Sequence, residues 1–349
     1  MGSLDKYKII PAVITEIEHR SECVPYYDAF WNTEADAWSL SGATLPIFTA
    51  PMACVVDDKN YLEFDKNGII PIIPRTISLD KRLELAKHMV WIALGLSEFS
   101  EFVENNNSLS QETYICVDMA NGHMKKLIDT CAKAKEKFGD KLILMTGNIA
   151  NPETYYEYAK AGIDYVRCSI GSGGACLTAK LTGIEYISFG ELISEIVYHK
   201  MEIKDDDSGQ YKSIPKIIAD GGLSSIRDII IALALGADYV MCGKIFVKCE
   251  EAAGKLVPRI KNQVMTDSGI YIGDPEYGRI YYGMSTERAQ REMGNEKIKH
   301  SEGSEEWVPI EYKLKDWVSQ FDAAISSAMS YCNKTMLSDF IGYGASYEG

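Results

Sequence analysis

The sequence predicts a closed (β/α)8 barrel from three observations: short apolar runs recur eight times, helical patterns lie between them, and polar or glycine-rich residues follow the later runs. The runs are Leu45–Pro51, Gly68–Pro74, Trp91–Leu96, Tyr114–Ala120, Lys141–Asn148, Tyr165–Gly171, Lys216–Gly222 and Tyr239–Lys244. Their apolarity is continuous rather than alternating, as in strands buried on both faces of a parallel sheet. A doubly wound dinucleotide fold fits less well, because no GxGxxG follows the first run.

In chain order, residues 5 to 44 mix polar and aromatic residues without clear periodicity and read as an extended arm. Helical spacing appears at 79–88 and at 124–138, where Leu127, Ile128, Cys131 and Ala134 share one face. Asn151-Pro152-Glu153-Thr154 and Ser224-Ser225-Ile226-Arg227-Asp228 carry capping residues at helix starts. Two long insertions interrupt the rhythm. One runs from about Ile187 to Ser213, with the polar patch 204–210, and the other is a flap near 269–312; both are expected on the active-site face as lids.

At 349 residues the chain is long enough for one large barrel, and the reading is a single domain over 1–349. With 46% hydrophobic and 25% charged residues it has the composition of a soluble globular protein. No signal-like N-terminus or long apolar stretch is present, so neither secretion nor a membrane is expected. The nine cysteines form no CxxC pair, which fits free thiols in a reducing cytoplasm. A net charge of −14 argues against nucleic acid as a partner, while leaving room for a local phosphate site.

The chemistry is expected at the strand ends. Asp118 to Gly122 follow the fourth run, Gly147-Asn148 the fifth, Ser169 to Thr178 the sixth, Asp220-Gly221-Gly222 the seventh and Gly243-Lys244 the eighth. Each has an ordinary reading: Asp-Gly-Gly as a tight turn, Asn148 as a cap, a strand-end cysteine as core filler. Their coincidence at successive strand ends points to a site. The loops after strands six to eight can aim backbone N–H groups at one phosphate, and Cys176 stands where it can present a thiolate. Cys54, Cys116, Cys168 and Cys242 sit in apolar runs and read as core; His123 reads as a solvated loop residue.

Several motifs recur together: Pro11-Ala12, Thr49-Ala50-Pro51-Met52, Gly147-Asn148-Ile149, Ala161-Gly162-Ile163-Asp164, Gly171 to Thr178, Ile218 to Gly222, Ala232 to Asp238 and Tyr282-Gly283-Met284-Ser285. In order and spacing this set resembles the IMP dehydrogenase/GMP reductase family. The resemblance implies a barrel that binds a purine 5′-monophosphate, forms a covalent thioimidate through Cys176, and exchanges hydride with NADPH or NAD. It further implies Thr178, Glu302 and Asp118 as catalytic, with Gly174, Asp220, Gly222, Gly243, Lys244, Met284, Ser285 and Gly303 at the substrate. Asp118, Ala120, Asn121 and Arg75 are implied at the cofactor. The carbonyls of Gly171, Gly173 and Cys176 are implied at a potassium ion, and the assembly as a homotetramer.

The segment between Leu96 and Tyr114 is too short for the regulatory modules of the dehydrogenases. The flap, with Ser301-Glu302-Gly303 and no Arg-Tyr pair, resembles the reductase branch. The rival readings are a dehydrogenase without regulatory modules and an inactive nucleotide-binding barrel. The chain departs from the family pattern at Gly174, where serine is usual, at Lys244 for the second phosphate-loop glycine, at Ala53 for aspartate, and at Pro74-Arg75-Thr76 for a histidine-lysine pair.

Overall fold

The computed structural model of the protein describes residues 4–32, 37–186, 188–265 and 271–347. All eight predicted runs form strands of one parallel sheet: β1 Ile47–Thr49, β2 Ile72–Ile73, β3 Trp91–Leu94, β4 Thr113–Asp118, β5 Leu142–Ile149, β6 Tyr165–Cys168, β7 Lys216–Asp220 and β8 Tyr239–Cys242. Consecutive strands from β2 to β8 are neighbours, and β8 pairs with β1 through Val240 and Ile47. A parallel bridge between Phe48 and Ile70, just before β2, brings the two edges together and closes the barrel.

Continuous apolarity in the strands serves two cores. One fills the barrel interior with Phe48, Ile72, Trp91, Cys116, Met145, Ile218 and Met241. Rings of Phe48, Trp91, Tyr165 and Tyr239 meet there at centroid separations of 5.1–6.0 Å, so the interior is plugged rather than hollow. The second core lies between strands and the outer helices α1 Tyr61–Lys66, α2 Leu79–Ala86, α3 Leu96–Asn105, α4 Lys125–Phe138 and α5 Thr154–Ala161. Leu127, Cys131 and Ala134 of α4 are fully buried, as their spacing predicts. Ser225 caps the helix Ile226–Ala234, its hydroxyl accepting from the Asp228 N–H at 3.2 Å.

The N-terminal arm lies along the barrel. Tyr7–Lys8 pairs with Ser346–Tyr347, and the Ala12 N–H donates to the Tyr331 carbonyl at 3.0 Å. Residues 33–36 of the arm fall outside the described set.

The two insertions part company. From Phe189 to Lys204 the first is a 16-residue helix whose Leu192, Ile193, Ile196 and Ile203 are buried against the barrel wall. It is the outer helix of the sixth unit. The polar turn after it leads into the start of β7, at the end of the barrel away from the strand termini that carry Asp118 and Asp220, so this segment is wall and not lid. Its first residue, Ile187, lies outside the described residues.

The second insertion is built as a flap. Strands β9 Val257–Met265, β10 Tyr271–Tyr282 and β11 Glu305–Pro309 form an antiparallel sheet, with the short helix Glu287–Glu292 between the last two. Gly269, where the flap is expected to begin, lies in the segment 266–270 outside the described residues.

Candidate active site

The loop from Ser169 to Thr178 takes its shape from close backbone packing. At Gly171 φ is +81° and a Cβ would come within 2.4 Å of the Ala179 Cβ, so only glycine fits. Gly221, at φ +89°, faces the same loop; a Cβ there would stand 2.8 Å from Ser172 Oγ and 3.0 Å from the Gly173 nitrogen. The turns after β6 and β7 therefore touch backbone to backbone. Ser172 Oγ donates to the Asp220 carbonyl at 3.3 Å, and the Cys176 N–H turns back to the Gly173 carbonyl at 2.9 Å.

The flap is stitched onto this loop. Cys176 and Gly303 form an antiparallel bridge, Leu177 N–H donates to the Glu302 carbonyl at 2.7 Å, and Ser304 N–H donates to Ala175 at 2.9 Å. A Cβ on Gly303 would meet Thr286 Cγ2 at 2.8 Å, and one on Gly283 would meet the Ala175 carbonyl at the same distance, so both glycines permit the approach. This stitching lines up three side chains. The Cys176 thiol donates to Thr178 Oγ1 at 3.4 Å, and Thr178 donates to Glu302 Oε2 at 2.6 Å. Sulfur, hydroxyl and carboxylate are thereby joined in one hydrogen-bonded chain.

Across the mouth, Arg167 from β6 holds two carboxylates. Its Nη1 donates to Asp118 Oδ1 at 2.7 Å, while Nε and Nη2 reach Asp220 Oδ2 at 2.9 and 2.8 Å. Burial by itself would lower the arginine's pKa, but the charges of Asp220 and Asp118 hold it well above its ordinary value. Asn148 adds a donor to Asp220 Oδ2 at 2.7 Å and another to the Ser169 carbonyl at 2.9 Å. Asp118 and Asp220 are thus held in place, with only 14% and 12% of their side chains exposed.

Arg75, after β2, points toward the Asp118 end of the mouth, with Nη1 3.5 Å from the Asp118 carbonyl. Its Nε lies 3.8 Å from Glu98 Oε2; this nitrogen and the neighbouring Thr76 hydroxyl are buried without a hydrogen-bond partner. Gly95 makes the room, since a Cβ there would fall 2.7 Å from Arg75 Nη2. Ala120 and Asn121 sit exposed on the turn after Asp118. His123 is not a solvated loop residue: its ring bonds Thr154 Oγ1 at 2.8 Å and accepts from the Ala150 N–H at 3.1 Å, fastening that turn to the start of α5.

At the opposite end lie Gly174, Gly222, Gly243, Lys244 and Tyr281. A Cβ built on Gly174 would rest 3.7 Å from Lys244 Cδ and 3.5 Å from Tyr281 Cε1, and one on Gly243 would lie 3.5 Å from the Tyr281 hydroxyl. Gly222, at φ +73°, packs on Ser172, and Lys244 Nζ pairs with Glu306 Oε2 at 2.6 Å. Met284 is half-buried and Ser285 exposed on the turn below β10, the Ser285 carbonyl accepting from Gln290 at 3.0 Å.

Sequence reasoning did not assign Arg167, Tyr281 or Glu306 to the site, and it placed Asn148 among the strand-end residues without giving it a role. For Arg167 a signal existed, since a charge inside a strand otherwise buried on both faces requires buried counter-ions. Among the described residues no cluster of three His, Cys, Asp or Glu side chains is arranged to hold a metal ion, and no helix is long and apolar enough to cross a membrane.

A (β/α)8 barrel that gathers a thiol, a hydroxyl–carboxylate pair and a glycine-lined turn at its strand ends carries its polar groups on the face where barrel enzymes carry their active sites. The chain belongs to the IMP dehydrogenase / GMP reductase domain family, whose model matches residues 31–343. It is 26% identical over 305 residues to a GMP reductase of Vibrio atlanticus, covering 84% of this chain and 80% of that one. It is 28% identical over 239 residues to GMP reductase 2 of Bos taurus, covering 68% and 61%. An inosine-5′-monophosphate dehydrogenase of Chlorobaculum tepidum is 33% identical over 223 residues, covering 62% and 41%. The chain spans less than two thirds of the length of the bovine relative and of the human GMP reductase 2, of which it covers 64%.

Proposed function

We propose that the protein reduces guanosine 5′-monophosphate to inosine 5′-monophosphate and ammonia, with a nicotinamide dinucleotide as the hydride source. The observation that carries this reading is the Cys176–Thr178–Glu302 relay, completed by a flap that has no Arg-Tyr pair. As Cys176 Sγ bonds to C2 of the purine, its proton passes through Thr178 to Glu302. The C2–N bond then breaks and the same proton returns to the leaving amine, which departs as ammonia. Hydride delivered to C2 breaks the C–S bond and restores the thiolate.

The remaining roles extend the same reading. Asp220, held by Arg167 and Asn148, accepts from ribose hydroxyls. Gly174, Gly222, Gly243 and Lys244 receive the phosphate, while Met284, Ser285 and Gly303 border the base. Asp118, Ala120, Asn121 and Arg75 form the cofactor side, and the unpartnered Arg75 Nε and Thr76 hydroxyl suit a polar dinucleotide there. When bound, the nicotinamide supplies the hydride. The Gly171, Gly173 and Cys176 carbonyls are hard donors of the kind a potassium ion takes. The same reading includes a cytoplasmic homotetramer.

The test is to incubate the protein with GMP and NADPH and, separately, with IMP and NAD, following absorbance at the nicotinamide band. Loss of NADPH that requires GMP is expected. Turnover of IMP with NAD alone would establish the dehydrogenase reading instead, and no turnover of either pair would leave a binding barrel.

A further inference from the structure

Lys244 is the first residue after the Gly243 turn at the end of β8, and its stem runs beside Gly174. Its ammonium meets Glu306 Oε2 at 2.6 Å, with the lysine side chain 35% and the glutamate 51% exposed. Glu306 stands on β11, opposite Tyr281 in the sheet and four residues beyond Glu302 of the relay. The cation at the glycine-rich loop is therefore neutralised by a carboxylate that the flap carries.

We propose that Glu306 is an internal competitor for the anion that Lys244 receives: a phosphate group entering the loop takes Lys244 over from Glu306, and this removes the ion pair between β11 and the barrel while the backbone bonds at residues 302–304 remain. The purine monophosphate reading supplies the identity of the ligand, while the competition depends only on its phosphate. A phosphate dianion and a carboxylate crowded onto one ammonium repel each other, so one must leave. The phosphate has the glycine N–H groups of the loop as further donors, which Glu306 cannot reach from a neighbouring strand. Glu306 also leaves cheaply, because a half-exposed carboxylate regains water and an exposed ion pair is worth little. The rest of the flap stays assembled: β11 keeps its pairing with β10, Glu305 keeps Arg288 at 2.9 Å, and Trp307 Nε1 keeps the Val257 carbonyl at 3.1 Å. What is lost is the one ionic contact beside β11, four residues from Glu302, while the Leu177–Glu302 and Ser304–Ala175 backbone bonds hold. Filling the phosphate position thereby alters the freedom of the segment that carries the relay carboxylate.

The experiment is calorimetric titration of wild type, Glu306→Gln, Glu306→Asp and Lys244→Met with inorganic phosphate and with GMP, together with amide hydrogen exchange over residues 302–309. E306Q should bind phosphate about two- to five-fold more tightly than wild type, the range an exposed ion pair allows, and K244M roughly ten-fold or more weakly. Phosphate should speed exchange over 302–309 in wild type and leave it unchanged in E306Q, where that ion pair is already gone; E306D, which keeps the charge, should behave like wild type. Equal phosphate affinity in wild type and E306Q, or exchange that ignores phosphate in wild type, overturns the competition. Phosphate responses as expected with no binding of GMP overturn the purine reading and leave the competition standing.

Discussion

Cys176 differs from the other eight cysteines in its surroundings more than in its sequence neighbours. It alone is partly exposed, while the rest are buried. Burial pushes the Cys54 thiol up to about 11 and the Cys116 thiol up to about 12, the latter against the opposing pull of Arg167. Alkylation of the native protein near pH 7.5 should therefore label Cys176 well before any other thiol, as peptide mapping by mass spectrometry will check. Labelling of a buried cysteine first would contradict this ordering. Arg167 gives a second prediction. Replacing it with methionine leaves Asp118 and Asp220 as like charges in a dry mouth, and breaking a buried pair of this kind costs roughly 3–5 kcal/mol. Urea unfolding should show a loss of that size, whereas a loss below about 1 kcal/mol would mean that water already screens both carboxylates.

Helices α2 and α3 are joined by a charge cluster whose pH response follows from its geometry. Arg82, only 2% exposed, donates to Glu98 through Nη1 at 3.2 Å and Nη2 at 2.5 Å, and the Gly95 N–H donates to the same carboxylate at 2.8 Å. Burial alone would raise the Glu98 pKa, but the Arg82 and Gly95 hydrogen bonds with the charges of Arg82 and Arg75 hold it below the usual 4.5. A carboxyl with a depressed folded value stabilises fully above its unfolded pKa and loses that contribution as pH falls through the folded one. Glu98→Gln should accordingly flatten the decline of stability below about pH 4.5. Denaturant unfolding at stepped pH measures this, and an unchanged acid slope would show that Glu98 does not titrate differently on folding. The element scale also explains why the stretch 187–213 misleads. Leu192, Ile193, Ile196 and Ile203 have helical spacing, yet the Asp205-Asp206-Asp207 run just beyond reads as a loop and draws the whole segment with it.

For the whole molecule, the barrel is legible because each strand needs apolar residues on both faces, which leaves eight unbroken runs that a helix or a surface strand would not show. The strand-end positions of Asp118, Cys176, Asp220 and Gly243 follow from the same count. The pairings do not. Arg167 meets Asp118 and Asp220 from 49 and 53 residues away, and Thr178 meets Glu302 from 124 residues away. No local pattern encodes such distances; they arise from closure of the barrel and from the fold of the flap. Lys244 and Gly174 look like unrelated departures in the sequence, 70 positions apart. In space the lysine stem occupies the room beside the glycine, so a change at either position bears on the other.

The backbone bridge between Cys176 and Gly303 has a protective side. Thr178 lies on the loop beside the thiol, whereas Glu302 meets Thr178 only when the flap lies on the loop. In the proposed reaction, lifting the flap would separate Glu302 from Thr178 and leave the sulfur without its base. On that reading the thiol is armed only while the mouth is covered. An open molecule, with its one partly exposed cysteine facing solvent, is at that moment the least prepared to attack electrophiles other than its own substrate.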